Sequence, residues 1–194
     1  NRQQGIVWQP FNLQPEMENP LFTRSFDLDC DGDQDIYGHD VNSTIAWWEN
    51  PGSPSGNWEG HEIQSSWVYC SSVHAGDMDG DGDSDFVANS SYAHSVAWWE
   101  NNGTATLWTQ HIVTSSFTSV DDCLAGDLDG DGDVDIAASS IELSEIRWYE
   151  NLGEGMAWSA HTVRTGLTCP ITIHAADIEG DGDMDLIAGC RQTD

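Results

Sequence analysis

Four short segments of the chain each crowd five acidic residues into nine positions, beginning at Asp27, Asp77, Asp127 and Asp177. The second segment reads Asp77-Met-Asp79-Gly-Asp81-Gly82-Asp83-Ser-Asp85. Carboxylates at this density repel one another unless a cation lies between them. The aspartates at positions 1, 3, 5 and 9 converge on one point if the backbone turns sharply, and Gly82 at position 6 permits that turn. Several hard oxygen ligands at this spacing suit Ca²⁺, whereas Mg²⁺ keeps more of its waters and softer metals find no thiolate in this segment.

An EF-hand is the main alternative for a loop of this kind, and it requires a glutamate at position 12. That position holds Gly38, Ala88, Ala138 and Ala188 in the four loops. Each loop is also followed by a short apolar run, such as residues 85–89, and not by an amphipathic helix. The sequence therefore excludes an EF-hand and closes each loop on the aspartate at position 9.

The loops belong to a repeat of 50 residues, which Trp8, Trp58, Trp108 and Trp158 keep in register 19 residues before each loop. In the second unit, segments with the pattern of strands span residues 72–76, 85–89, 95–101 and 108–113, with turn signals between them. Four strands in ~50 residues is the content of one propeller blade. We therefore predict an all-β fold, a β-propeller or partial propeller of four-stranded blades, with each calcium loop between the first and second strands.

The motif DxDGDGDxD, followed by an apolar strand and a strand of the VAWWEN type, resembles the FG-GAP/VCBS repeats of integrin-α-type propellers, and the resemblance covers essentially the whole chain. It implies side-chain calcium ligands at positions 1, 3, 5 and 9: Asp27, Asp29, Asp31 and Asp35; Asp77, Asp79, Asp81 and Asp85; Asp127, Asp129, Asp131 and Asp135; Asp177, Glu179, Asp181 and Asp185. Position 7 would contribute its backbone carbonyl, and it holds Asp33, Asp83, Asp133 and Asp183. We expect about four calcium ions, one per loop, with the fourth site weakened or reshaped by the longer Glu179.

The repeats predict a single domain over residues 1–194. The expected blades span approximately residues 14–65, 66–115 and 116–165, and a split blade combines residues 166–194 with residues 1–13. The WWEN-type strand of that split blade is missing. Either the array continues, or a strand comes from elsewhere.

The acidic composition argues against several classes of partner. The chain has 34 acidic and 5 basic residues and a net charge of −29, which repels nucleic acid and anionic membranes. No run of 18 apolar residues predicts membrane insertion, and the start at Asn1 is typical of a mature or excised segment. Five cysteines match no zinc pattern and allow at most two disulfides, a usage compatible with secretion. Glycosylation sequons begin at Asn42, Asn89 and Asn102.

Aromatic pairs occupy the third strand of the first three repeats: Trp47-Trp48, Trp98-Trp99 and Trp148-Tyr149. Because side chains alternate along a strand, we expect one ring of each pair to pack between blades and the other to be partly exposed. The histidines that recur every 50 residues fit a structural strand position better than a metal ring: His61, His111 and His161. Residues without counterparts in other repeats are better candidates for specific recognition: Trp67, Tyr69, Tyr92, His94 and Arg147.

No sequence motif of catalysis is present, and the carboxylates are accounted for as ligands, so we expect no enzymatic activity. The leading hypothesis is an extracellular calcium-stabilised β-propeller, secreted or on the cell surface, that serves as a binding or adhesion module for a glycan or an extracellular protein. One alternative is a structural subunit of an extracellular fibre or layer, assembled by strand completion between chains. The other is a non-catalytic accessory region of a larger secreted enzyme.

Overall fold

The computed structural model describes residues 13, 17, 19–53 and 56–191. Every regular secondary-structure element in that part of the chain is a β-strand, as the repeat pattern predicts. Aspartate, asparagine and glycine recur between them, and these residues favour turns, so the strands stay short. Within the same residues, no helix has the length and apolar character needed to cross a membrane.

The fourteen strands of the described residues form four antiparallel sheets, each with its strands in chain order. The first sheet contains β1 (Pro20–Phe26), β2 (Asp35–Asp40), β3 (Ile45–Glu49) and β4 (Glu59–Gln64). The second contains β5 (Val73–Gly76), β6 (Asp85–Ser90), β7 (Ser95–Asn101) and β8 (Trp108–Thr114). The third contains β9 (Val120–Gly126), β10 (Asp135–Ser140), β11 (Glu145–Asn151) and β12 (Trp158–Thr165). The fourth contains β13 (Pro170–Ala176) and β14 (Asp185–Cys190).

This architecture confirms an all-β fold of four-stranded antiparallel repeats, with each acidic loop between the first two strands of its sheet. Three sheets have all four strands in the described residues, and the fourth sheet has two. The residues 1–13 expected in the split blade lie, apart from Leu13, outside the described residues. The described sheets do not show a closed ring, so the propeller arrangement stays a prediction.

Apolar clusters join consecutive sheets. The first cluster brings Leu28 and Trp47 of the first repeat against Phe86 and Trp99 of the second. Two further clusters join the second sheet to the third and the third to the fourth. Because the second sheet is covered on both faces, β6 is buried along its whole length, which explains why three consecutive residues, Phe86, Val87 and Ala88, are apolar.

The tandem aromatics do alternate between the two faces of their strand. Trp99 packs into the cluster with the first sheet, and Trp98 packs into the cluster with the third. The expectation that one ring of each pair is partly exposed is wrong for the first two repeats, where all four tryptophans are at most 2% exposed. In the second repeat, sheets on both sides leave no free face. The third repeat has a half-buried member, Trp148.

The recurring histidines support these tryptophans. His111 stacks on Trp98 with ring centroids 4.4 Å apart, and its Nε2 lies 2.8 Å from Glu100 Oε2. The third repeat has the same arrangement, in which His161 stacks on Trp148 and pairs with Glu150. The histidines are therefore packing residues that hold the glutamate of the WWEN-type motif.

All five cysteines are free thiols: Cys30, Cys70, Cys123, Cys169 and Cys190. Of the three sequon asparagines, Asn89 is fully buried, and its Nδ2 donates to the Ser71 hydroxyl and the Val120 carbonyl. A glycan on Asn89 is incompatible with this packing.

Candidate metal centre

The turns of each acidic loop depend on glycines in the left-handed region. In the second loop, Gly80 has a φ of 78° and Gly82 a φ of 99°, and glycine reaches both angles without a steric cost. The aspartate at position 1 then accepts from the amides of positions 4 and 6. Gly80 N lies 2.8 Å from Asp77 Oδ1, and Gly82 N lies 3.1 Å from Asp77 Oδ2. The backbone thus wraps around the first carboxylate.

The aspartate at position 9 closes the loop from the start of the second strand. The Asp85 carboxylate is fully buried, and it accepts from Met78 N and Asn101 N, both at 2.8 Å. The first and third loops repeat this pattern at Asp35 and Asp135. Position 9 therefore fastens the loop to the second and third strands at once.

Three groups of carboxylates are close enough to hold a metal ion, and each consists of positions 1, 3 and 9 of a loop. One ligand oxygen from each member lies within 4.8 Å of the others in these groups: Asp27, Asp29 and Asp35; Asp77, Asp79 and Asp85; Asp127, Asp129 and Asp135. In the first group, Asp27 Oδ1 is buried and has no hydrogen-bond partner. A buried carboxylate oxygen without a donor is costly, and a cation is the natural partner. The donor set, oxygen alone, fits Ca²⁺.

The predicted ligands at position 5 lie outside these groups. Asp81 Oδ1 instead accepts from Asp83 N at 2.9 Å, and Asp31 and Asp131 do the same in their loops. At position 7 the Asp83 carboxylate is directed to the turn after β7, where a Cβ added to Gly103 would lie 2.7 Å from Asp83 Oδ2. The side chain of Asp83 is therefore turned away from the group, which leaves its backbone carbonyl for the predicted role.

The fourth loop shows what the glutamate at position 3 changes. In the second and third loops the aspartate at position 3 accepts from the amide of position 5. Here Asp181 N donates to Asp177 Oδ1 at 3.1 Å, because the longer Glu179 does not form that short turn. Among the described residues, no carboxylate group of metal-binding geometry includes the fourth loop, so the structure supports three of the four expected sites.

Burial raises the pKa values of the aspartates at position 9. Burial, with a further contribution from neighbouring carboxylates, raises the pKa of Asp85 to about 7. Burial likewise raises the pKa values of Asp35 and Asp135 above the ordinary aspartate value. A bound cation would favour the charged form of these three carboxylates.

The calcium-free protein should lose stability as the pH rises from about 4 to about 7, because the folded Asp85 binds its proton more tightly than the unfolded chain does. That stabilisation is complete below the unfolded pKa and disappears as the pH passes the folded pKa. Urea unfolding in EDTA at pH 5 and pH 7 measures the difference. Saturating calcium is expected to remove or reverse the decline, since the cation stabilises the charged form. Higher stability at pH 7 than at pH 5 in EDTA would contradict this prediction.

Position 4 of the first loop is an outlier. Cys30 occupies the place that Gly80 and Gly130 hold in the next two loops, and its φ is 62°. The second and third loops use the glycine amide to bind the first aspartate, whereas Asp27 Oδ1 has no such donor. A left-handed conformation is unfavourable for a residue with a Cβ. The first loop is therefore both strained and short of one hydrogen bond.

The substitution Cys30→Gly is expected to stabilise the calcium-free protein by about 1 kcal/mol. It relieves the backbone strain and lets the amide of residue 30 donate to Asp27. Denaturant unfolding of the two proteins measures the gain. The matched control is Gly80→Ala, which places a Cβ at the same position of the second loop and is expected to destabilise. No gain for Cys30→Gly would show that the left-handed turn is not strained.

One functional residue escaped the sequence analysis, the asparagine that ends the WWEN-type motif. Asn101 Nδ2 donates to Ser84 O of its own loop and to Leu28 O of the preceding loop, at 3.1 and 3.0 Å. Asn151 repeats both contacts with the third and second loops. Its recurrence 15 or 16 residues after the last aspartate of the loop was visible in the sequence, but the contact partner in the preceding repeat was not. Asn101 and Asn151 therefore each join two consecutive acidic loops.

The residues proposed for specific recognition divide into two kinds. Trp67 packs edge-on against Trp99, and Arg147 pairs with Glu145 and covers the Phe117 ring, so both stabilise the fold. The described structure brings the two tyrosines together as exposed neighbours: Tyr69 and Tyr92. His94, beside them, accepts from Ser119 N.

Comparisons with known proteins agree with the repeat pattern. The model of the FG-GAP-like repeat matches residues 27–88, 77–138 and 127–188. Among solved structures, the chain is similar to a lectin of Agrocybe aegerita described as recognising non-reducing terminal N-acetylglucosamine, with a TM-score of 0.61 and 18% sequence identity. The match covers 86% of this chain and 46% of the lectin chain, so this chain spans less than half of that length. No curated protein gives a significant match. At this identity the likeness to the lectin concerns the fold alone.

Proposed function

Because this chain belongs to the FG-GAP-like repeat family, we propose that it is a calcium-stabilised module of β-propeller type that binds glycans outside the cell. The observation that carries the calcium assignment is the grouping of three carboxylates in each of the first three loops. The orphaned Asp27 oxygen supports it, and so does the raised pKa of Asp85. Calcium, when bound, supplies the positive charge that these groups lack.

The role of the metal in this proposal is structural. In the second loop, Asp85 already joins the loop to the second and third strands, and Asn151 of the following sheet donates to Met78 O of the same loop. Neutralising the carboxylates stabilises these contacts, which join one sheet to the next. An extracellular location fits this role. Structural calcium sites of extracellular modules have dissociation constants of about 10⁻⁴–10⁻³ M, much weaker than those of cytosolic calcium buffers.

The choice of a glycan as ligand is supported by the shared fold with a lectin and by the charge of the chain. A net charge of −29 repels sialylated and sulfated glycans, so uncharged saccharides are the expected class. An array of neutral and acidic glycans, probed with calcium and then with EDTA, tests the proposal. Calcium-dependent binding to neutral glycans supports it. Binding to no glycan, or binding that persists after the fold is lost in EDTA, overturns it.

The module is proposed to act without catalysis, because the grouped carboxylates serve as metal ligands and are not free to act as an acid and base pair. Release of reducing sugar from any glycan that the array identifies would contradict this.

Self-association is the second candidate, and the fourth sheet motivates it. Ile178 is 64% exposed, whereas its equivalents Leu28 and Met78 are at most 1% exposed beneath the following sheet. Another sheet that covers this face, contributed by a second chain, would bury it. Light scattering separates the candidates, since a strict monomer argues against assembly by completion between chains.

A further inference from the structure

Two tyrosines form an exposed aromatic pair at the end of the second sheet opposite its acidic loop. Tyr69 lies in the connection from β4 to β5, and Tyr92 lies in the turn from β6 to β7. Their side chains are 69% and 70% exposed, and the ring centroids lie 6.3 Å apart with a tilt of 37°. The two rings are therefore neighbours that are both largely exposed to solvent.

Tyr69 combines an unfavourable backbone conformation with an exposed ring. Tyr69 has a φ of 56°, a left-handed conformation that is unfavourable for a bulky residue. Its carbonyl accepts from Ser91 N at 3.2 Å, which joins the two turns. A buried ring would offset the unfavourable backbone, but the Tyr69 ring stays mostly in solvent. Ligand binding gives a reason for the aromatic residue that packing does not.

Neighbouring repeats use the same backbone without the aromatic rings. Position 69 corresponds to Ser119, which also has a positive φ, of 51°. Position 92 corresponds to Glu142. The carbonyl of Cys169, the equivalent in the fourth repeat, also accepts from the amide of Arg191, the first residue after β14. The backbone arrangement thus belongs to the repeat, and among the described residues the tyrosine pair is particular to the second sheet.

Polar groups from the turn that carries Tyr92 meet Ser119 of the connection before β9. The hydroxyls of Ser91 and Ser119 are 3.3 Å apart, and His94 Nδ1 accepts from Ser119 N. A pyranose ring offers an apolar face of C–H groups and a rim of hydroxyls, and aromatic rings beside hydroxyl groups complement both. The net charge of −29 disfavours an acidic sugar.

We propose that Tyr69 and Tyr92 form a subsite that stacks on one uncharged hexopyranose residue, with the Ser91–Ser119 hydroxyls and His94 facing its hydroxyl rim. The subsite rests on the proposed glycan-binding function and gives it a location. It lies away from the metal groups, because strand β6 runs from the acidic loop at Asp85 to the turn that carries Tyr92. The saccharide therefore needs the calcium-stabilised fold but no bond to the ion.

The test compares Tyr69→Ser, Tyr92→Ser and Tyr92→Phe with the parent protein by calorimetric titration with chitotriose, cellotriose and maltotriose in calcium. We expect Tyr69→Ser and Tyr92→Ser each to raise about tenfold the dissociation constant of the trisaccharide that binds. Tyr92→Phe should retain most of the affinity because the ring remains. Serine is the natural residue at the equivalent position 119, so Tyr69→Ser should fold with an unchanged or higher melting temperature. The matched control is Leu107→Ser, a side chain that is 64% exposed in the turn from β7 to β8 at the other end of the sheet.

The outcomes separate the subsite from the function it rests on. A parent protein that binds none of the array glycans overturns the glycan function and the subsite together. A parent protein that binds a trisaccharide, with affinity unchanged in both serine variants, overturns the subsite and leaves the function intact. A loss of affinity in Leu107→Ser as large as in Tyr69→Ser also overturns the subsite, since the effect would not be local. Binding of a protein in place of a saccharide, lost in the serine variants, assigns the pair to a different ligand class and overturns it as a sugar site.

Discussion

Removal of calcium with EDTA is expected to lower the melting temperature of this chain by about 15–30 °C. A ligand at one hundred times its dissociation constant stabilises the folded state by about 2.7 kcal/mol per site, so the three grouped sites together contribute about 8 kcal/mol. For a domain of this size, each kcal/mol corresponds to about 2–4 °C. The reason is local, because without the cation three carboxylates share one small space in each loop. Differential scanning calorimetry in calcium and in EDTA measures the shift.

Two controls show whether the effect belongs to the loops. Magnesium at the same concentration is expected to restore little of the lost stability, because it dehydrates reluctantly and prefers fewer protein ligands. Asp129→Asn removes one charge from the third group and should reduce the calcium-dependent shift by about one third. Glu179→Gln is the matched variant in the fourth loop, which has no such group in the described structure, and it should leave the shift nearly unchanged. Superimposable melting curves with and without chelator would refute the structural role of calcium.

Asn101→Ala is expected to destabilise the protein by about 3–5 kcal/mol in calcium. The side chain is buried, and its amide donates to two carbonyls in different repeats. Its Oδ1 also accepts from Gly103 N and Ala105 N, at 3.2 and 2.7 Å. Truncation to alanine leaves all four backbone groups without a partner in a buried site. Urea unfolding measures the change.

Asn50→Ala is the control within the same motif. Asn50 makes the contacts to its own loop and turn, with Gln34 O and Gly52 N, and it is half-buried. Its amide has no described contact with another repeat, so we expect a cost of about 1 kcal/mol. Equal costs for Asn50→Ala and Asn101→Ala would show that the bond to the preceding loop contributes nothing.

The sequence predicted the loops and the strands well because both follow from local chemistry. Asp85 is recognisable as a loop ligand from its distance to Asp77, and β7 was predicted to span residues 95–101, as it does. Exposure was predicted less well. Trp98 and Trp99 alternate between faces as expected, but their burial depends on the sheets on either side. No local pattern shows that both faces of a strand are covered.

The contacts between repeats were beyond the sequence for the same reason. Asn101 was recognisable as part of a recurring motif, yet its partner Leu28 lies 73 residues earlier in the chain. Likewise, Tyr69 and Tyr92 were singled out for lacking counterparts, and only the hydrogen bond between their turns shows that the rings are neighbours. The differences between repeats were visible in the sequence, but which of the differing residues contact one another became clear only from the fold.

The two partners of the asparagine contact are synthesised at different times. Leu28 O accepts from a side chain 73 residues further along, and Met78 O repeats the same interval with Asn151. A ribosome that adds about 5–20 residues per second needs about 4–15 s to cover that interval. During synthesis, the first and second acidic loops therefore exist for several seconds before the asparagine that donates to them, Asn101 or Asn151, has been added to the chain. We expect calcium in the compartment where the chain folds to stabilise the newest loop over that interval, before the asparagine contact forms.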